Sequence, residues 1–335
     1  MFLVPASKSE HSNILIWRIP GLPTQGWKLS EDVPERLGDT KVHVSPFIGR
    51  ATTFHAEGPL DAAELWPSIN AQNIHELADV HSDSKEAHIE RVRAAVKQIV
   101  QNHLRKVVIA RREDLEMELD YASTFQKLVN AYPQAIVYAL FIEGRLWMGA
   151  TPETLLTSDE HAIYTMALAG TRKPDGPEFT EKEYDEQLAV TESINDTLLQ
   201  LGSAKVDAKG PEIIAAGPVQ HLITRITAGL PNEGTPVDWA HSLHPTPAVC
   251  GMPKRDALSI IDALENFNRE LYAGYLGWTS EENSRFYVNL RCMQVGQKRV
   301  ALYAGGGITA LSDPEAEWEE TVIKLNTLKS VITQE

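Results

Sequence analysis

Cysteine is scarce in this sequence: Cys250 and Cys292 are the two thiols in 335 residues. Two cysteines cannot make a disulfide framework, and these form no Cys-x-x-Cys pair, which fits a reducing compartment. Long apolar runs are missing as well. No stretch approaches the ~18–20 residues of a membrane span. The short run Asn13-Ile-Leu-Ile-Trp17 follows no basic leader and precedes no small-residue cleavage site. Positive charge is in deficit, with 31 lysines and arginines against 46 acidic residues and a net charge of −15. Such a chain is no general ligand for nucleic acid or for an anionic membrane. A cytoplasmic protein with no nucleic-acid or membrane partner is therefore expected. An anionic small substrate is still admissible, because one local cation or metal can dominate a pocket.

Several familiar chemical signatures are absent too. There is no P-loop, no Gly-x-Ser-x-Gly elbow and no G-x-G-x-x-G fingerprint. The eleven histidines include no His-x-x-x-His pair, which argues against a zinc site.

What is present is ordinary in bulk and unusual in detail. An apolar fraction of 43% and a charged fraction of 23% describe a globular chain long enough for one large domain. From Ser84, apolar residues Ile89, Val92, Val96, Ile99 and Leu104 recur at helical spacing. Val107–Ala110 then reads as a strand. Residues 135–142 and 145–148 flank Glu143-Gly144, a two-residue hairpin signal. A helix is predicted over 178–201, with Tyr184, Leu188, Ile194 and Leu198 on one side, and another over 256–264. Residues 287–292 and 299–303 are expected to pair as strands. Asp313-Pro314 opens a final helix with a cap residue followed by proline at the first helical position. Residues 1–80 read as strands and loops without a chemical motif. Long β segments mixed with helices indicate an α+β fold in one domain.

The chemistry-bearing residues concentrate toward the C-terminus. Glu317, Glu320, Lys324 and Leu328 share one face of the final helix, and Glu186, Val190 and Ile194 share a stripe on the earlier one. A carboxylate on an inward face needs a partner. Two such carboxylates facing each other suit Mg²⁺, an oxygen-seeking ion. Alternatively, Glu320 and Lys324 make an ordinary i,i+4 ion pair. Gly305-Gly306-Gly307 lets a ligand approach backbone N–H groups, or is simply a tight turn. Lys106 opens a strand and is either a solvated strand end or a base. Glu153 follows a proline and is either a surface carboxylate or, if its pKa is raised, a proton donor.

Taken in order, these segments resemble the chorismate-utilising enzyme family: isochorismate, salicylate, anthranilate and aminodeoxychorismate synthases. The resemblance rests on Lys106-Val-Val-Ile-Ala-Arg111, Gly149-Ala-Thr-Pro-Glu153, Ala167-Leu-Ala-Gly-Thr171, Glu181-Lys182 with Glu186, and His244-Pro-Thr-Pro-Ala248. It continues through Glu265-x-Phe-x-Arg269, Asn289-Leu-Arg-Cys292, Tyr303-Ala-Gly-Gly-Gly307 and Glu317-Trp-x-x-Glu320-Thr-x-x-Lys324. It implies two antiparallel sheets packed face to face with helices outside, and an active site in the cleft between the halves. It also implies a variable part, 1–80, and a catalytic core, 81–335, within a single large domain.

The resemblance further implies the subtype and the site. Isochorismate and salicylate synthases are similar to this chain in having lysine at 106, where anthranilate synthases typically have glutamine. Aminodeoxychorismate synthases carry a nucleophilic lysine where this chain has Ala169. Nitrogen transfer and a glutaminase subunit are therefore not expected. Chorismate is the implied substrate, Lys106 the base that activates water for attack at C2, and Glu153 the acid that protonates the departing C4 hydroxyl. Glu186 and Glu320 would hold Mg²⁺, with Glu317 contributing directly or through water. A one-residue slip in the match would substitute Asp185 for Glu186. Gly170, Thr171, His244, Arg291, Gly305, Gly307 and Lys324 would contact substrate. The product would be isochorismate, destined for menaquinone or a catecholate siderophore. Salicylate synthase, which adds pyruvate elimination, is the alternative. A monomer is expected, with a dimer open.

Overall fold

The computed structural model describes residues 12–31, 39–78, 82–172, 174–216 and 219–333, with the side chains of Thr171, Lys182, Ala215, Ala216 and Val219 outside the description. These residues begin with strands β1 (Asn13–Arg18), β2 (Gln25–Ser30), β3 (Lys41–Ser45) and β4 (Thr52–Leu60), then helices α1 (Ala62–Asn70) and α2 (Lys85–Asn102). Next come β5 (Lys106–Glu116), α3 (Tyr121–Ala131), β6 (Ile136–Ile142), β7 (Arg145–Thr151), β8 (Thr154–Ser158) and β9 (Ala162–Arg172). Helix α4 (Glu181–Gln200), β10 (Val206–Ala216), β11 (Val219–Gly229), α5 (Pro236–Leu243), β12 (Gly251–Met252) and α6 (Lys254–Leu264) follow. The chain closes with β13 (Tyr275–Thr279), β14 (Ser284–Val288), β15 (Cys292–Val295), β16 (Arg299–Ile308) and α7 (Pro314–Ile332).

The strands form one continuous ladder in the order β10-β11-β9-β8-β14-β13-β3-β4-β2-β1-β6-β7-β15-β16-β5-β12. Two expected sheets are thus two halves of a single sheet folded over on itself. Alternation in β1 shows how the layers are made. Leu15 and Trp17 enter a core shared with Phe286 of β14, Ile163 of β9 and Ile194 of α4. Ile14 and Ile16 face the other way, into a layer with Leu65 of α1, Phe125 of α3 and Leu328 of α7. Period-2 alternation lets each residue serve one layer only. Each fully buried aliphatic side chain of this kind contributes roughly 1.5–3 kcal/mol. The α+β class and the single large domain stand. Among the described residues no helix is long and apolar enough to cross a membrane.

Local signals set most boundaries. Ser84 caps α2 by accepting from Ala87 N–H, and Asp313 caps α7 by accepting from Ala316 N–H with Pro314 next in line. Three expectations change. Helix α4 starts at Glu181, where Thr180 and Glu183 form a capping box. Its buried stripe is Gln187, Val190, Thr191, Ile194 and Leu198, whereas Tyr184 and Leu188 are exposed. Residues 287–292 do not form one strand paired to 299–303. The run breaks at Asn289–Arg291, so β14 pairs with β13 and β8, while β15 pairs with β16 and β7.

Candidate active site

The two ends of the ladder meet over one cavity of about 280 Å³. From one end come Lys106 and Val108 of β5, Gly305 and Gly307 of β16, and Glu317, Glu320 and Lys324 of α7. From the other come Ala169 and Gly170 of β9, His221 of β11, and Glu183 and Glu186 of α4. The chain crosses between the halves at 152–153 and again at 289–291, and these two crossings run side by side. Val288 N–H donates to Glu153 O at 3.0 Å, and Ala150 N–H donates to Arg291 O at 3.0 Å. Glu153 and Arg291 therefore reach the cavity from its seam.

Each side chain is held for a traceable reason. Lys106 passes directly over Gly307, where a Cβ would come within 2.4 Å of its Cε. Glycine at 307 is thus the space that lets the lysine lie flat along the strand. Its Nζ donates to Glu186 Oε1 at 2.5 Å. Helix α4 is fixed beneath by buried Gln187, which donates to Ala167 O and to Thr224 Oγ1, both at 2.9 Å. That anchor turns Glu186 inward and leaves Asp185 exposed. On α7, Lys324 Nζ donates to Gly305 O at 2.8 Å and meets Glu320 at 2.7 Å. The helix is pinned from behind by Arg111, whose Nε donates to Thr321 Oγ1 at 2.7 Å and whose guanidinium lies 4.1 Å from the Trp318 ring centroid.

The carboxylates differ in state. Burial pushes Glu153 up to about 7, although the charges of Lys106, Lys324 and Arg291 pull the other way. Near neutral pH this side chain carries a proton for much of the time. At Glu320, burial also acts upward, but the charge and hydrogen bond of Lys324 outweigh it and the net direction is down. Burial lowers His221 to about 4, so its ring is neutral, and its Nδ1 lies 3.0 Å from Gly170 O.

Of the residues expected at the site, Lys106, Glu153, Gly170, Glu186, Arg291, Gly305, Gly307, Glu317, Glu320 and Lys324 share this cavity. The side chain of Thr171 lies outside the described residues. His244 is not brought to the cavity wall. Its Nε2 lies 3.1 Å from Phe47 O, and its ring packs on Phe47 and Tyr275. Ala248 and Val249, later in the same turn, line the cavity instead. Sequence reasoning gave no role to His221, Tyr272 or Tyr303, which also line it. The available signal at 221 was a single histidine inside an otherwise strand-forming run, Val219–Ile226.

The donors fit Mg²⁺ by type, since Glu186, Glu317 and Glu320 present only oxygen to one space. They are not gathered into a ready-made cluster. Among the described residues no three acidic, histidine or cysteine groups converge tightly enough to hold a metal. Glu186 and Glu320 are each engaged by a lysine.

Comparison with known proteins places this geometry in a wider group. The sequence model of the chorismate binding enzymes matches residues 61–333. The chain is 32% identical over 241 residues to isochorismate synthase EntC of Escherichia coli, covering 68% of this chain and 62% of that protein. It is 33% identical over 272 residues to isochorismate synthase MenF of the same organism, covering 76% and 62%. The chain thus spans about three fifths of the length of the curated relatives it matches. The solved structure of MenF, the menaquinone-specific isochorismate synthase from Escherichia coli, superposes with a TM-score of 0.77. That likeness covers 98% of this chain and 90% of MenF at 23% identity, and it establishes the shared fold. The chain belongs to the chorismate binding enzyme family.

Proposed function

We propose that this protein is an isochorismate synthase that takes chorismate as substrate and requires Mg²⁺. The observation that carries the reading is the pairing, in one cavity, of the Lys106 amine with a carboxyl group, Glu153, raised to about 7. Water is a poor nucleophile and hydroxide a poor leaving group, so the reaction needs a base and an acid together. Lys106 removes a proton from water, which attacks C2 of the ring. Glu153 gives its proton to the C4 hydroxyl, which leaves as water while the ring double bond shifts. One water enters and one leaves, so the reaction is an isomerisation.

The base in this step is the neutral Lys106 amine, which can go on donating one N–H to Glu186 while its lone pair takes the water proton. Glu186 and Glu320, with Glu317, would hold Mg²⁺, which supplies positive charge opposite a substrate carboxylate in an otherwise acidic protein. Arg291 and Lys324 bind the substrate's carboxylates by charge-assisted hydrogen bonds. Ala169 offers no amine for a covalent adduct, and the reading calls for no glutaminase subunit. The test is product identification by chromatography after incubation with chorismate and Mg²⁺. Isochorismate is expected. Salicylate with pyruvate would replace this reading with salicylate synthase, and no product would remove it.

A further inference from the structure

Arg291 is the one cavity cation whose own backbone is held in a conformation that side chains rarely adopt. Its φ is +47°, in the left-handed region. It follows a tight turn in which Leu290 N–H donates to Val288 O at 2.9 Å. Something outside the turn must hold it there, because a left-handed arginine persists only where its surroundings over-determine it.

Those surroundings are identifiable. Asn289 is buried and bonded on every side. Its N–H donates to Gly274 O and its O accepts from Ala273 N–H, both at 2.8 Å. Its Nδ2 donates to Leu271 O at 2.8 Å. Its Oδ1 accepts from the hydroxyl of fully buried Tyr138 at 2.5 Å. Tyr138 stands across β6 and β7 from the turn, in register with Gly149, which is in register with Cys292. The ring crosses Gly149 to reach Asn289. A Cβ at 149 would lie 3.0 Å from Tyr138 Cε1 and 2.9 Å from Arg291 O. Gly149 thus gives room both to the ring that holds Asn289 and to the carbonyl that Ala150 holds.

We infer that Tyr138 and Asn289 are positioning residues that fix the strained Arg291 backbone and so aim its guanidinium at the substrate. Neither touches the cavity, and both act through Arg291. The inference rests on the reading of Arg291 as a substrate-carboxylate ligand. It makes Tyr138 a determinant of substrate affinity despite its place in the core.

Steady-state kinetics with chorismate at saturating Mg²⁺ test it, on wild type, Tyr138→Phe, Arg291→Lys and the double variant. Tyr138→Phe removes one hydroxyl and keeps the ring. Losing a hydrogen bond to a buried amide should raise KM about tenfold with kcat within about twofold, because a substrate-binding group is lost equally from ground and transition states. In the Arg291→Lys background the same change should alter KM by less than about twofold, because the route through the arginine is already cut. A purely structural role would lower the melting temperature and leave KM unmoved. Unchanged KM in Tyr138→Phe, or an equal effect in both backgrounds, would overturn the positioning role alone. Wild-type protein inert toward chorismate would overturn the functional reading and this inference with it.

Discussion

The seam of the cavity and its two rims hold acids in opposite conditions. At the seam, Glu153 is 8% exposed, and the cations Lys106, Lys324 and Arg291 act on it by charge without overcoming its burial. At the rims, Glu186 and Glu320 meet lysine amines at 2.5 and 2.7 Å. All three are glutamates, so the difference comes from place. Residues 152–153 are carried inward where the chain crosses between sheet halves, and desolvation there favours the neutral acid. Helices α4 and α7 present their carboxylates beside amines, and at Glu320 the charge of Lys324 favours the charged form. One cavity thereby holds a proton donor, Glu153, and an anionic carboxylate, Glu320, at the same pH.

The contrast can be broken in several ways. The largest effect is expected from Lys106→Ala, which removes the base and should lower kcat about 10³-fold while circular dichroism stays unchanged. Normal turnover would remove Lys106 from the chemistry. Glu153→Gln takes away the transferable proton and should lower kcat about 10²-fold. In wild type, kcat/KM should fall as pH rises through about 7, the value that burial gives Glu153. A wild-type profile flat from pH 6 to about 9 would detach Glu153 from the rate.

At the rim, Glu320→Gln should weaken Mg²⁺ binding about tenfold in a calorimetric titration, with chorismate absent. An unchanged isotherm would contradict its place as a ligand. Gly307→Ala puts a methyl group where Lys106 Cε now lies, at 2.4 Å. The clash is with a movable side chain, so the fold should survive and kcat should drop by only about tenfold. The smallest effect concerns stability. Glu153 binds its proton more tightly in the folded state than in the unfolded state, so wild-type stability is lost as pH rises from about 4.5 to about 7 and levels off above that. Glu153→Gln should therefore melt slightly higher than wild type at pH 8 and no higher at pH 4.

Much of this was legible in the sequence, and the exceptions share a cause. Caps and hairpin signals are local chemistry, so Glu143-Gly144 and Asp313-Pro314 announced their elements, and periodicity announced the helix from Ser84. The motifs that gathered Lys106, Glu153, Glu186 and Glu320 were legible only by resemblance, since no spacing joins residues 106 and 320. Asn289–Arg291 was misread because its apolar flanks promise an unbroken strand. The left-handed arginine that interrupts it is imposed by Tyr138, about 150 residues earlier in the chain. His244 was misplaced for a similar reason. It was carried to the site by resemblance alone, yet Phe47, nearly 200 residues earlier in the chain, claims its nitrogen. The single-sheet topology was invisible for the same reason, because strand order depends on long-range pairing.

The state of Glu153 is the hinge of this account, and carbon-13 NMR of selectively labelled glutamate, assigned with Glu153→Gln, reads it directly. A carboxyl resonance titrating with a midpoint near 7 is predicted. A midpoint at the ordinary glutamate value of about 4.3 would contradict the account, because the cavity would then hold no acid to release the C4 hydroxyl.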